Sequence, residues 1–193
     1  QFDGVRPDER TTPAARVAGT RLALLDHRPG EAVASIRPLA EASDATPSVL
    51  ALFGDALYAA GETDLAGPQY ERALALDASN PEALLGYATI LVRGEKGREA
   101  LEILFRARQA LATRIRPPSV EARLLTLTGR AQILDGHQEE ARVSLRQATQ
   151  REGVPPEAYF FLGETLSGVN SPESRSAYER YLASVEGRNF LVT

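Results

Sequence analysis

The sequence predicts an all-α fold, a row of paired helices built on a unit of 34 residues, and three observations predict it. A capping side chain followed by proline recurs at Thr12-Pro13, Thr46-Pro47 and Asn80-Pro81, and these prolines stand 34 residues apart. Proline suits the first helical position because the N–H it lacks would have no partner there, and the preceding side chain can accept an orphan backbone donor. Fixed spacing of this kind marks a repeat array. The second observation is a column of small residues in each first helix, at Thr20, Gly54, Ala88, Gly129 and Gly163. It is matched by a facing column in each second helix, at Ala32, Ala66, Ala100, Ala141 and Ser174. Two helices that cross closely need small side chains at the crossing. The third is a column of large residues one turn further on, Ile36, Tyr70, Leu104, Leu145 and Tyr178, suited to fill the core between the pairs.

Taken in order, residues 1–11 (QFDGVRPDERT) are polar and aperiodic, and read as a linker or disordered tail. Units then start near Pro13, Pro47 and Pro81. In the second of these, Gly54 to Ala73 holds both halves of the pattern, with Gly61 at the bend. Aligning Gly129 and Ala141 with Gly54 and Ala66 starts the fourth unit at Ala122, seven residues late, and the fifth at Pro156. Seven residues are about two helical turns. They are expected to lengthen the second helix of unit three to about Arg116, where Pro117-Pro118 stops it. Pro155-Pro156 and Ser171-Pro172 repeat the start signal in the last unit. Residues 12–186 thus read as one domain. Residues 187–193 (GRNFLVT) read as a C-terminal tail, either folding back as a cap over the last pair or beginning another element.

Composition narrows the functions. With 43% hydrophobic residues the chain can bury a core, and a net charge of −4 gives no electrostatic reason to expect nucleic acid. No apolar run reaches the roughly 18 residues that cross a bilayer, so direct membrane insertion is not expected. The absence of Cys removes thiolate chemistry. The absence of Met suggests a processed chain or one excised from something longer.

The units resemble tetratricopeptide repeats. The family pattern is carried by Leu50, Phe53, Gly54, Leu57, Ala66, Tyr70 and Ala73-Leu74, followed by Leu76-Asp77, and in the last unit by Tyr159, Leu162, Gly163 and Leu166. The resemblance covers Thr12 to Glu186 and is poorest in the first unit, where Arg16 and Gly19 replace large apolar groups. It implies a right-handed superhelical solenoid of antiparallel helix pairs whose first helices line a concave groove for a peptide or partner protein.

Three columns are then expected to face that groove. The first is Val17, Ala51, Leu85, Thr126 and Phe160; the second is Arg21, Asp55, Thr89, Arg130 and Glu164; the third is Leu24, Tyr58, Val92, Ile133 and Ser167. Two mostly apolar stripes flanking a polar one suit an amphipathic helix or extended apolar segment, with the charges setting register. The competing reading buries these positions against neighbouring units. The lysine–asparagine clamp of the family's best-known peptide receptors is missing, since Lys96 is the sole lysine and these columns hold no asparagine.

Other chemistry is sparse. His27 and His137 fall in turns without a second ligand at helical spacing, so no metal site is expected. Gly94-Glu95-Lys96-Gly97 joins two helices and does not follow a strand, which makes it a turn and not a phosphate loop. Glu139-Glu140 suits a helix N-terminus better than a catalytic dyad. Arg106, Arg108, Arg114 and Arg116 form a solvated face or an acidic partner's contact. No nucleophile–base–orienter set stands out, so neither enzyme activity nor a cofactor is expected. The function expected is a scaffold or adaptor binding a protein partner. The alternative is a homo-oligomeric structural subunit using an open repeat end or the Arg106–Arg116 face. The lysine-poor, Ala/Arg/Leu-rich composition leans towards a bacterial source, in a periplasmic envelope or secretion assembly or attached to a membrane-anchored parent protein.

Overall fold

The computed structural model describes residues 12–112, 117–167 and 171–185, and among them every regular element is an α-helix. The helices are α1 (Pro13–Leu25), α2 (Pro29–Ala40), α3 (Pro47–Ala59), α4 (Thr63–Leu76), α5 (Pro81–Arg93), α6 (Gly97–Ala112), α7 (Pro118–Leu134), α8 (Gln138–Thr149), α9 (Pro156–Ser167) and α10 (Pro172–Val185). The termini and the basic-run residues Arg114 and Arg116 lie outside the described residues, as does the expected end of α6.

Local chemistry explains where the helices begin. Thr12, Thr46 and Asn80 accept hydrogen bonds from the backbone N–H three residues on, at 3.2, 3.4 and 3.0 Å, and Ser171 does the same for Ser174 at 3.2 Å. Each satisfies a donor that the helix itself cannot. The first helices of units one to four end alike. The chain turns through a left-handed residue at His27, Gly61, Glu95 and Gly136, with φ of 55°, 81°, 59° and 84°. The next N–H then reaches back five residues, as from Arg28 to the Ala23 carbonyl and from Glu62 to the Leu57 carbonyl. This arrangement caps the helix and reverses the chain within three residues.

The extra seven residues are shared between two helices. α6 is 16 residues long, and α7, at 17 residues, starts at Pro118, four residues ahead of the Ala122 start that the repeat frame predicts. Proline at its first position and the extended Pro117 before it set that earlier start.

The expected single domain divides into two compact units between Ile90 and Leu91. In unit 1, α1 packs on α2, α2 on α3 and α3 on α4. Its core joins Ile36, Leu50, Phe53, Leu57 and Tyr70, each no more than 5% exposed. In unit 2, α6 packs on α7, α7 on α8, α8 on α9 and α9 on α10. The small columns are buried throughout, and Ala32, Ala66, Ala100 and Ala141 are completely so. Where a polar residue replaces a small apolar one, its hydroxyl finds a carbonyl, Thr20 on Arg16 at 2.7 Å and Ser174 on Gly163 at 3.1 Å. Arg16 compensates for the weak first unit, because its Nη1 donates to the Ser35 carbonyl while Ser35 Oγ donates to its own.

Candidate interaction surface

Within unit 1 the first-helix positions separate into a floor and a surface. Ala51 and Leu85 are buried, at 0% and 4% exposure, so these two side chains are out of a partner's reach. Val17, Leu24 and Tyr58 are half-buried and pack on the core from its outer side, and Arg21 is exposed. The polar residues are already engaged. Tyr70 donates its hydroxyl to Asp55 Oδ1 at 2.8 Å, and Thr89 donates to the Leu85 carbonyl at 2.8 Å. Asp55 therefore orients a core tyrosine as well as presenting a carboxylate.

In unit 2 Val92 and Thr126 are buried, the latter donating to the Ala122 carbonyl at 2.7 Å. The buried reading of the columns thus holds at Ala51, Leu85, Val92 and Thr126. A richer patch remains at the surface. The Arg130 guanidinium lies over the Phe161 ring, 4.8 Å from its centroid. Phe160 meets Phe161 edge-on at 5.5 Å and approaches Tyr178 and Tyr181 at 6.2 and 5.4 Å. Ile133 and Phe161 pack on one cluster of Leu145, Leu162, Leu166 and Ala177. Beside this patch Glu164 is exposed and accepts a 2.5 Å hydrogen bond from Tyr178. That bond, then burial, pushes the Tyr178 phenol up to about 12, since a phenolate would lose the bond and face a carboxylate.

A tetratricopeptide-repeat family model matches residues 57–124, and the whole described fold is similar to solved structures that share it. The fold is that of the tetratricopeptide-repeat solenoids. A thermophilic tetratricopeptide-repeat protein of Thermus thermophilus, TTC0263, superposes with a TM-score of 0.73 at 16% identity, over 92% of this chain and 93% of that one. PilF of Pseudomonas aeruginosa gives 0.70 at 18% identity over 88% and 75%. A MamA fragment from Desulfovibrio magneticus RS-1 gives 0.64 at 19% identity over 92% and 97%. No curated protein matches. At these identities the likeness is one of fold.

Unit 2 also carries features that the three columns leave out. Phe161 follows Phe160 directly and so falls outside the three columns, yet it stacks under Arg130. Also in unit 2, a groove of about 520 Å³ runs between α6 and α8 over Thr128 and Gln132 of α7, with Phe105 and Val143 exposed along it. The histidines take ordinary positions: His27 occupies a turn, and His137 Nδ1 lies 3.3 Å from Asp135. Among the described residues no group of three or more His, Cys, Asp or Glu could hold a metal ion. No described helix is long and apolar enough to cross a membrane. Glu139 and Glu140 occupy the first turn of α8, with Glu139 2.8 Å from Arg142.

Proposed function

We propose that this chain is a non-enzymatic adaptor that holds a segment of a partner protein against the first-helix faces of its repeats. The observation that carries this reading is the half-buried patch of Arg130, Ile133, Phe160 and Phe161 in unit 2. Aromatic and arginine side chains held by their neighbours lose little entropy on binding, and such groups dominate the energetics of protein interfaces. Val17, Leu24 and Tyr58, with Arg21 beside them, supply a second apolar patch in unit 1. The buried Ala51, Leu85, Val92 and Thr126 support these patches from below. Asp55, Thr89 and Glu164 add polar groups along them. The occupant that fits is an amphipathic helix or extended apolar segment with polar groups on one edge. The setting we infer, from the lysine-poor composition and the bacterial origin of the similar structures, is an envelope or secretion assembly.

Affinity capture from a lysate of the source organism tests the reading. Wild type is compared with a Tyr58→Ala/Arg130→Ala/Phe160→Ala variant whose helicity and melting are checked by circular dichroism. A partner captured by wild type and lost by the folded variant supports the adaptor. A partner retained by both moves the site off the first-helix face. For the second reading, self-association, the supporting observation is that Phe105 and Val143 stand exposed along the α6–α8 groove.

A further inference from the structure

Second helices pack against the first helix of the next repeat, as α2 does on α3 and α8 on α9, and a size rule governs the contact. Ile36 of α2 and Leu52 of α3 are buried in one core, and Phe161 of α9 packs on the cluster that holds Leu145 of α8. Tyr70 of α4 instead lies against Gly86 of α5, where a Cβ would stand 2.2 Å from its ring. Leu52, Gly86 and Phe161 occupy one repeat position, two residues before the small crossing residue of each first helix. An aliphatic side chain thus takes a large partner and the tyrosine a small one, as close packing between the helices requires.

α10 repeats the surface of α4 and leaves it open. Residues 178–182 read YERYL where residues 70–74 read YERAL. Tyr178 is only half-buried and Leu182 is 52% exposed, whereas Tyr70 is closed off. By the size rule, a helix that covers Tyr178 needs a small residue at the position of Gly86. Besides α5, the one first helix that has it is α1, with Ala18, since α3, α7 and α9 carry Leu52, Leu127 and Phe161. Ala18 is exposed, and Leu25 is 77% exposed at the position by which Leu134 lies against Gly97 of α6. Both are faces that elsewhere in the chain join one repeat to the next.

The rest of the contact transfers position by position. α5 crosses α4 with Gly86 on Tyr70 and Ile90 facing Gly67. In the same register Ala18 meets Tyr178 and Leu22 meets Arg175, which carries Leu182 towards Ala15. Tyr87 of α5 donates to Glu71 at 2.9 Å; Gly19 takes its place in α1, and Glu179, the counterpart of Glu71, is held by Arg175 at 2.9 Å. That ion pair keeps the Arg175 guanidinium along its own helix and leaves its methylene stem for Leu22. The methyl of Ala18 needs more room than Gly86 has, and the half-buried Tyr178 ring is free to shift by that much.

We propose that α1 of one copy docks on α10 of a second, with Ala18 over the Tyr178 ring, and so continues the repeat from copy to copy. The occupant is a second copy because this chain itself carries the small-residue helix that the tyrosine face requires. The contact is heterologous, so association does not stop at a dimer. The proposal rests on the self-association reading but places the contact on α1 and α10, and the test separates this from the α6–α8 groove.

Sedimentation velocity across a concentration series, on the full chain, tests it. Wild type is expected to gain mass past the dimer as concentration rises. Ala18→Leu, at an exposed position, should weaken association about tenfold or more by overfilling the Tyr178 site. Leu182→Asp should weaken it about as much by placing a carboxylate in the contact. Mixed in equal amounts, these two variants should form a 1:1 dimer and nothing larger, because each keeps the face that the other has lost. The double variant A18L/Y178L, which recreates an aliphatic pairing like that of α2 and α3, should regain most of the wild-type association. Circular dichroism checks each variant's fold. A chain monomeric at every concentration overturns both the proposal and the self-association reading, and leaves the α10 face to another occupant. Association that stops at a dimer, or that survives both Ala18→Leu and Leu182→Asp, overturns this contact and leaves self-association standing, with Phe105→Asp then testing the groove. A mixture of the two variants that stays monomeric while wild type associates also overturns it.

Discussion

Units 1 and 2 place a tyrosine at the same repeat position, and the two tyrosines live in different surroundings. Tyr70 is 1% exposed, with its ring against Gly54 of its own pair and against Gly86 of the next first helix. A Cβ built at Gly86 would come within 2.2 Å of that ring, and one at Gly54 within 2.7 Å. Tyr178 repeats half of this arrangement. Its ring lies against Gly163, where a Cβ would stand 2.7 Å away, and its hydroxyl finds Glu164 as that of Tyr70 finds Asp55. Yet Tyr178 remains half-buried, and no second described glycine meets its ring. The comparison teaches that a repeat residue's contribution depends on the unit that follows it as much as on its own pair.

The largest effect should come from removing the rings. Tyr70→Ala opens a closed site and is expected to cost about 4 kcal/mol, against about 1–2 kcal/mol for Tyr178→Ala, where the lost contacts are fewer and solvent can enter. Equilibrium urea unfolding of the two variants measures this, and equal losses would break the comparison. Next in size is Gly86→Ala, which drives a methyl into a ring that Asp55 and Gly54 prevent from retreating. Overpacking costs about 1–3 kcal/mol and the better helix propensity of alanine returns about 1, so a net loss of up to about 2 kcal/mol is expected. Gly163→Ala should be close to neutral by the same assay, since the half-exposed Tyr178 ring can shift.

A smaller effect, of opposite sign, tests the shared turns. His27 in unit 1 and Glu95 in unit 2 hold the left-handed conformation that Gly61 and Gly136 hold elsewhere. His27→Gly and Glu95→Gly should each raise stability by about 0.5 kcal/mol, because relief of the left-handed strain exceeds glycine's extra unfolded entropy. Melting temperature follows the change.

The smallest effect is a pH dependence. The Tyr178 phenol, raised from 10 to about 12, favours the folded state while neutral. Its contribution is complete below pH 10, declines as pH rises towards 12 and is lost above that. Unfolding curves on either side of pH 10 should therefore converge for wild type and Tyr178→Phe as pH rises. A constant difference would dissociate the Glu164 bond from stability.

The helices and their starts were legible because the signals are local. Thr12, Thr46, Asn80 and Ser171 each act on an N–H one turn away, and the small and large columns follow from helical period alone. The candidate surface was legible only in part. Arg21, Tyr58, Arg130, Ile133 and Phe160 stay at or near the surface, whereas Ala51, Leu85, Val92 and Thr126 lie beneath it. Periodicity says that these residues share a face, but how deeply neighbouring helices cover that face depends on side chains a whole repeat away.

By itself the sequence determined the all-α repeat, its caps and turns, and the residues that fill each crossing, since all of these answer to backbone hydrogen bonds and helical spacing within one unit. Only the tertiary structure decided that Gly86 closes over Tyr70, that Arg130 lies on Phe161, and that Phe105 and Val143 share an open groove. These juxtapositions join residues 16 to 38 positions apart. They depend on how far each packed helix is turned about its own axis, which the contacts between helices set and no local signal encodes.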